Sequence, residues 1–149
     1  MLYLNQRDNI NTDMTLKDFL NSNDSFAAGC GARLVEVSPG TAVAIMEVTP
    51  AHLNAGDVCQ GGAIFTLADL VFAALVNQGE NLTFAINSTI YYHISAHEGD
   101  TLRAEGRLTC NHHRIPSVEV EVTNHEGIRI ATFTGQAYTS RNPICISPK

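Results

Sequence analysis

Basic residues are scarce in this chain: nine Lys and Arg stand against fifteen Asp and Glu, giving a formal net charge of -6. Binding along a phosphate backbone needs a basic field, so no nucleic-acid partner is expected, although single arginines can still hold a small anionic ligand. The four cysteines, Cys30, Cys59, Cys110 and Cys145, form no C-x-x-C pair. Neither a zinc pattern nor a disulfide scaffold is suggested. Adjacent His112 and His113 lack a third ligand at any suggestive spacing, and no metal is expected. No apolar run is long enough to cross a membrane: the longest, from Ala63 to Val76, makes a helix of roughly 21 Å. The opening MLYLNQRDNINTDM turns polar too early for a cleavable signal, which makes the cytoplasm the expected compartment.

What is present fits one globular domain over residues 1–149, with its core at about 26–139 and 44% of its residues apolar. Thr12 to Asn23 opens on capping residues and carries Met14, Leu16, Phe19 and Leu20 at helical spacing, which predicts a short amphipathic N-terminal helix over 12–23. Ala32 to Val37 and Thr41 to Val48 flank Ser38-Pro39-Gly40 and read as a hairpin. The stretch HLNAGDVCQGGAIFTLADLVFAALVN, from His52 to Asn77, follows. Its second half is apolar nearly all round, the pattern of a helix buried on all sides. Thereafter the period is two: Thr83–Ile94, Thr101–Cys110, Ser117–Thr123 and Ile128–Thr139 read as antiparallel strands wet on one face.

An α+β domain follows, with a curved antiparallel sheet wrapped around one long central helix. A single sheet cannot cover such a helix completely, so its remaining face calls for a second copy of the chain.

Two features of the central helix are not explained by packing. Gly61 and Gly62 stand at its start, where bare N–H groups at the positive end of the helix dipole can face a ligand oxygen. Asp69 lies two turns further in, among Leu67, Ala68, Leu70 and Val71. A carboxylate in such company is paired, protonated or used. The two lie eight residues apart, about 12 Å along one helix. Reacting groups approach within about 3–3.5 Å, so if both act on one carbonyl they belong to different subunits.

His52, Asn54, Gly56, Gln60-Gly61-Gly62, Phe65 and Leu67-Ala68-Asp69 resemble the motif of the PaaI-type acyl-CoA thioesterases, which have the hotdog fold. The resemblance in pattern covers about residues 26–139. It implies hydrolysis of an acyl-CoA or aryl-CoA thioester to the acid and CoA, without metal or redox cofactor, at a site between subunits of a homodimer or a dimer of dimers. Its catalytic residues are then Gly61, whose N–H polarises the thioester carbonyl, Asp69, as general base or nucleophile, and Asn54, which places the water or the carbonyl.

Gln60 stands where the common motif has histidine, and a glutamine cannot carry a proton charge near neutral pH. This departure raises the alternative of a module that binds acyl-CoA or a small aromatic acid without turnover; a hotdog dehydratase is disfavoured because the motif pairs no histidine with a carboxylate. Gln60, Gly62, Asn87 and Arg114 are the expected substrate-binding residues, Asn87 beside the acyl pocket and Arg114 (or Arg103 or Arg107) on a CoA phosphate. Phe65, Leu70, Phe72, Phe84 and Tyr91 supply apolar surface that suits a fatty chain or an aryl ring. His52 is expected to be a loop histidine bonded to backbone.

Overall fold

The structure, a computed structural model, describes residues 14–147. Thr12 and Asp13, the first residues of the expected N-terminal helix, lie outside that range. Helix α1 (Leu16–Asn23) starts at Thr15, whose hydroxyl accepts from the Asp18 N–H as a side-chain cap. A second, short helix α2 (Ser25–Gly29), not expected from the sequence, follows at once behind Asp24, whose carboxylate caps Ala27 N–H at 2.9 Å.

Strands β1 (Arg33–Ser38) and β2 (Thr41–Glu47) form the expected hairpin, its turn carried by Gly40 at φ +75°. The central helix α3 (Gly61–Val76) comes next, then β3 (Asn81–Tyr92), β4 (Thr101–Cys110), β5 (Ser117–Thr123) and β6 (Arg129–Pro143). All pairings are antiparallel, in the order β1-β2-β4-β5-β6-β3. Strand β3 therefore pairs with β6 and leaves one long edge free.

The sheet curls round α3 because alternate residues of β4, β5 and β6 are withdrawn from water. Leu102, Ala104, Val118, Val120, Val122, Ala131 and Phe133 line its inner face against Leu67, Val71, Phe72 and Leu75. Each large side chain among these contributes roughly 1.5–3 kcal/mol by burial. Two mid-strand glycines bring helix and sheet together. A Cβ on Gly106 would lie 2.6 Å from Val71 Cγ1, and one on Gly135 2.9 Å from Phe72 Cζ. Neither position has room for a side chain, which explains glycine in strands it otherwise weakens.

The burial of α3 is not complete. Phe65, Thr66, Asp69 and Ala73 are half-buried and Gly62 is exposed, at three- and four-residue spacing that makes one stripe along the helix. That stripe is the face for which the sequence demanded a further partner. Among the described residues no helix is long and apolar enough to cross a membrane.

Candidate active site

The loop before α3 is built to present the first turn of the helix. Thr49 N–H donates to His52 Nδ1 at 2.9 Å, and an N–H can only donate, so the His52 proton sits on Nε2. Nε2 in turn donates to the Cys30 carbonyl at 2.7 Å and ties the loop to the end of α2. His52 is the backbone-bonded loop histidine expected. Asn54 Oδ1 accepts from Gly56 N–H at 2.8 Å and closes the turn that follows, while its Nδ2 donates to none of the described residues.

Gln60 is the N-cap of α3. Its N–H donates to the His52 carbonyl at 2.7 Å and its carbonyl accepts from Ala63 N–H at 3.0 Å. Its side-chain Oε1 accepts from Gly62 N–H. The donor of Gly62, expected to meet substrate, is therefore already engaged. Gly61 N–H is different: it donates to no group among the described residues. A cavity of about 370 Å³ opens beside it, lined among others by Ile64, Tyr92 and Ile94. Tyr92 was not singled out in the sequence, yet its hydroxyl donates to the Gly61 carbonyl at 2.7 Å.

Asp69 does not reach this cavity. It stands on the open stripe of α3, half-buried, with its pKa raised above the usual 3.8, first by burial and second by the Asp24 carboxylate. Neither a hydrogen bond nor a cation among the described residues offsets these causes. Asp69 thus binds a proton more tightly than a free carboxylate does.

Other expected site residues lie elsewhere in the chain. Asn87 pairs with exposed Gln136, whereas Ser88 pairs with Gly135, the glycine that faces Phe72. The register shift between Ala85 and Asn87 makes the difference: Ile86 is a bulge and turns Asn87 to the outer face, beside Thr109, Ser117 and Thr134. Asn87 therefore does not line a pocket against its own helix. Arg114 donates to the Thr139 carbonyl at 3.1 Å and lies over the Tyr138 ring, at the far end of α3 from Gly61. Arg103 and Arg107 pair with Glu105 and Glu119 on exposed ground. Leu70 and Phe72 are sealed in the core, so of the expected apolar contacts only Phe65, Phe84 and Tyr91 stay accessible. Among the described residues no group of three or more His, Cys, Asp or Glu is placed to hold a metal ion.

Residues 56–131 match the sequence profile of the thioesterase superfamily. The chain belongs to that superfamily. An Archaeoglobus fulgidus protein provisionally named an esterase is 37% identical over 83% of this chain and 80% of its own. The acyl-coenzyme A thioesterase PaaI of Escherichia coli is 30% identical over 78% of this chain and 83% of its own. The solved structure of the E. coli PaaI protein superposes with a TM-score of 0.80, at 27% identity, over 88% of this chain and all of that one. The fold is the hotdog fold and the resemblance to the PaaI type holds. A Streptococcus mutans protein solved with acetyl CoA bound matches with a TM-score of 0.69 at 28% identity, over 72% of this chain and 86% of that one.

The raised pKa of Asp69 has a consequence for any turnover that depends on it. If Asp69 must be ionised to act, kcat/KM rises with pH along a limb whose pKa lies above 3.8. Because the Asp24 charge is one cause of the rise, Asp24→Asn is expected to move that limb to lower pH. Asparagine caps a helix as well as aspartate does, so α2 is kept. A pH–rate profile that does not move would remove Asp24 from the electrostatics of the site.

Proposed function

We propose that this protein hydrolyses an acyl-CoA or aryl-CoA thioester to the free acid and CoA, in a site completed by two copies of the chain. The observation that carries the reading is the pairing of an unengaged Gly61 N–H at the mouth of a cavity with an Asp69 carboxylate that has no partner, on one helix but about 12 Å apart. Neither reaches the other's reactants within the chain. A second helix running alongside, its own open stripe facing this one, brings the Asp69 of one copy towards the Gly61 of the other.

The free edge of β3 supports such a pairing. Phe84, Ile86, Tyr91, Tyr92 and, just beyond the strand, Ile94 are each at least half exposed. A long, apolar, unpaired edge is the kind natural proteins cover. Two-fold pairing of β3 with its counterpart makes one continuous sheet and sets both α3 helices on the same side.

In the proposed reaction the thioester carbonyl oxygen accepts from Gly61 N–H, which stabilises the negative charge that develops there. Asp69 takes a proton from water as the water oxygen bonds to the carbonyl carbon. The tetrahedral adduct then collapses, the C–S bond breaks, and the departing CoA sulfur recovers the proton as a thiol. In the alternative route Asp69 attacks directly, expels CoA and forms a mixed anhydride that water hydrolyses. Asn54 Nδ2 and Gln60 Nε2, both on the exposed lip of the helix start, supply further donors to water or carbonyl. Gln60 favours a binding module only if an acid is needed at its place. Its role as helix cap, which leaves Gly61 N–H unengaged, favours turnover instead.

Release of CoA thiol across a panel of acyl- and aryl-CoA esters tests the reading. Saturable release on at least one ester is expected, and the best substrate identifies the acyl class. Heat stabilisation by CoA ligands without release from any ester would favour the binding module.

A further inference from the structure

We infer that the Tyr92 hydroxyl and the Gln60 carboxamide act as one clamp on the peptide between Gly61 and Gly62, and so aim the Gly61 N–H at the thioester oxygen. The inference rests on the thioesterase reading above and assigns the device that makes its oxyanion donor a fixed one.

Each peptide at the start of α3 is held. The peptide entering Gln60 is held through its N–H on the His52 carbonyl, and the next one, which carries the Gly61 N–H, through the Gln60 carbonyl, which accepts from Ala63 N–H. The peptide between Gly61 and Gly62 is gripped at both ends. Tyr92 Oη donates to its carbonyl at 2.7 Å, and Gln60 Oε1 accepts from its N–H. The one backbone donor of the set left over is the Gly61 N–H, and Gly61 borders the cavity.

The glycines are needed for the grip to close. A Cβ on Gly61 would stand 2.9 Å from both Cζ and Oη of Tyr92, and one on Gly62 would stand 2.7 Å from Gln60 Oε1. Neither glycine has a positive φ. Glycine is present here for close approach, but its freedom of φ and ψ has a consequence: two in succession at a helix start leave the donor poorly aimed unless other groups fix them. Tyr92 comes from the end of β3, 31 residues away, and therefore ties Gly61, the residue that bears the donor, to the sheet through its carbonyl. Burial raises the pKa of its phenol above 10, with Cys59 a lesser cause, so the hydroxyl remains a donor throughout the working range of pH. Gln60 gains a specific role as well. With Oε1 committed to Gly62 N–H, its Nε2 must point away from that bond, towards solvent at the helix start.

Tyr92 is on this account a positioning residue, tested by Tyr92→Phe, which keeps the ring and removes the hydroxyl. Gln60→Met, near-isosteric, removes the acceptor together with the Nε2 donor and tests the other jaw through its coupling to Tyr92→Phe. Each is expected to lower kcat by roughly ten- to a hundred-fold, the scale of a misplaced reacting group, with KM within about twofold of wild type. Oligomeric state should stay as in wild type, and the Gly61 and Gly62 amide resonances should move in both variants. The melting temperature should fall by no more than about a few degrees, since Gln60→Met gives up a helix cap and Tyr92→Phe one hydrogen bond. The double variant should lose little more than the worse single, because either loss already releases the peptide. Full turnover in Tyr92→Phe, or losses in the double variant that simply multiply, would overturn the clamp while leaving the thioesterase reading in place. No turnover by the wild type on any thioester would overturn that reading, and the clamp as a catalytic device with it.

Discussion

Replacing Asp69 by asparagine is expected to abolish thioester turnover and, in the same protein, to raise the melting temperature. The first effect follows from chemistry: a positioned base is worth about 10²–10⁴-fold in rate, and an amide can neither take a proton nor attack a carbonyl. The second follows from linkage. A carboxyl whose folded pKa lies above its unfolded value binds its proton more tightly in the native state. Its favourable contribution is complete below the unfolded pKa and disappears as pH rises through the folded one. Where Asp69 is ionised it is therefore a cost to the fold, since both burial and Asp24 act against its charge. Asparagine has the same shape without the charge. Each kcal/mol recovered is worth roughly 2–4 °C for a chain of this size. Thermal melts at pH 7 and at pH 4 check the account: the advantage of the variant should be large at the first and shrink at the second. A destabilised variant would mean that the ionised carboxylate has a partner in the assembled protein.

Lysine at both Phe84 and Ile86 is expected to separate the copies and silence the enzyme together. Both side chains are more than half exposed on the free edge of β3. Lysine on an edge strand opposes pairing with another edge. Sedimentation should then report a monomer, and kcat/KM should fall by about 10² or more, the loss expected when an oxyanion donor is separated from its base. The melting temperature should fall too, because the stripe through Phe65 and Ala73 would face water. A monomer of undiminished turnover would show that a single chain holds the whole site.

The elements whose patterns are local were legible in the sequence. Period-two alternation located β4 and β5 and assigned their inner faces, as the buried Leu102, Ala104, Val118 and Val120 show. Continuous apolar character identified α3, and the missing cover over Asp69 was implied by the same run. Features made by distant contacts were not legible. Nothing near Asn87 announces the bulge at Ile86 that reverses its face, and a one-residue shift in a strand is enough to do so. The adjacency of β3 to β6 rather than β4 depends on the path of the whole chain. The sequence predicts bare N–H groups at both Gly61 and Gly62. The structure agrees for Gly61, but Gly62 is capped by Gln60, and the space each glycine leaves is taken by Gln60 or Tyr92. The link from Tyr92 to Gly61 has no local signal, and Asp24, the cap of a short helix without a strong pattern, gives none either.

The central claim is that one site draws Gly61 from one copy and Asp69 from another, and complementation between two dead variants tests it most directly. Gly61→Val drives a side chain into Tyr92 and displaces the donor, and Asp69→Asn removes the base; each is expected to be inactive alone. Co-expressed with different tags and purified as hybrids, the two chains assemble one intact site per dimer, with Gly61 from the second and Asp69 from the first. The hybrid should recover about half the wild-type kcat per dimer, and an unsorted random mixture about a quarter. Hybrids that contain both chains but show no recovery would contradict the shared site and place both residues in the service of a single chain.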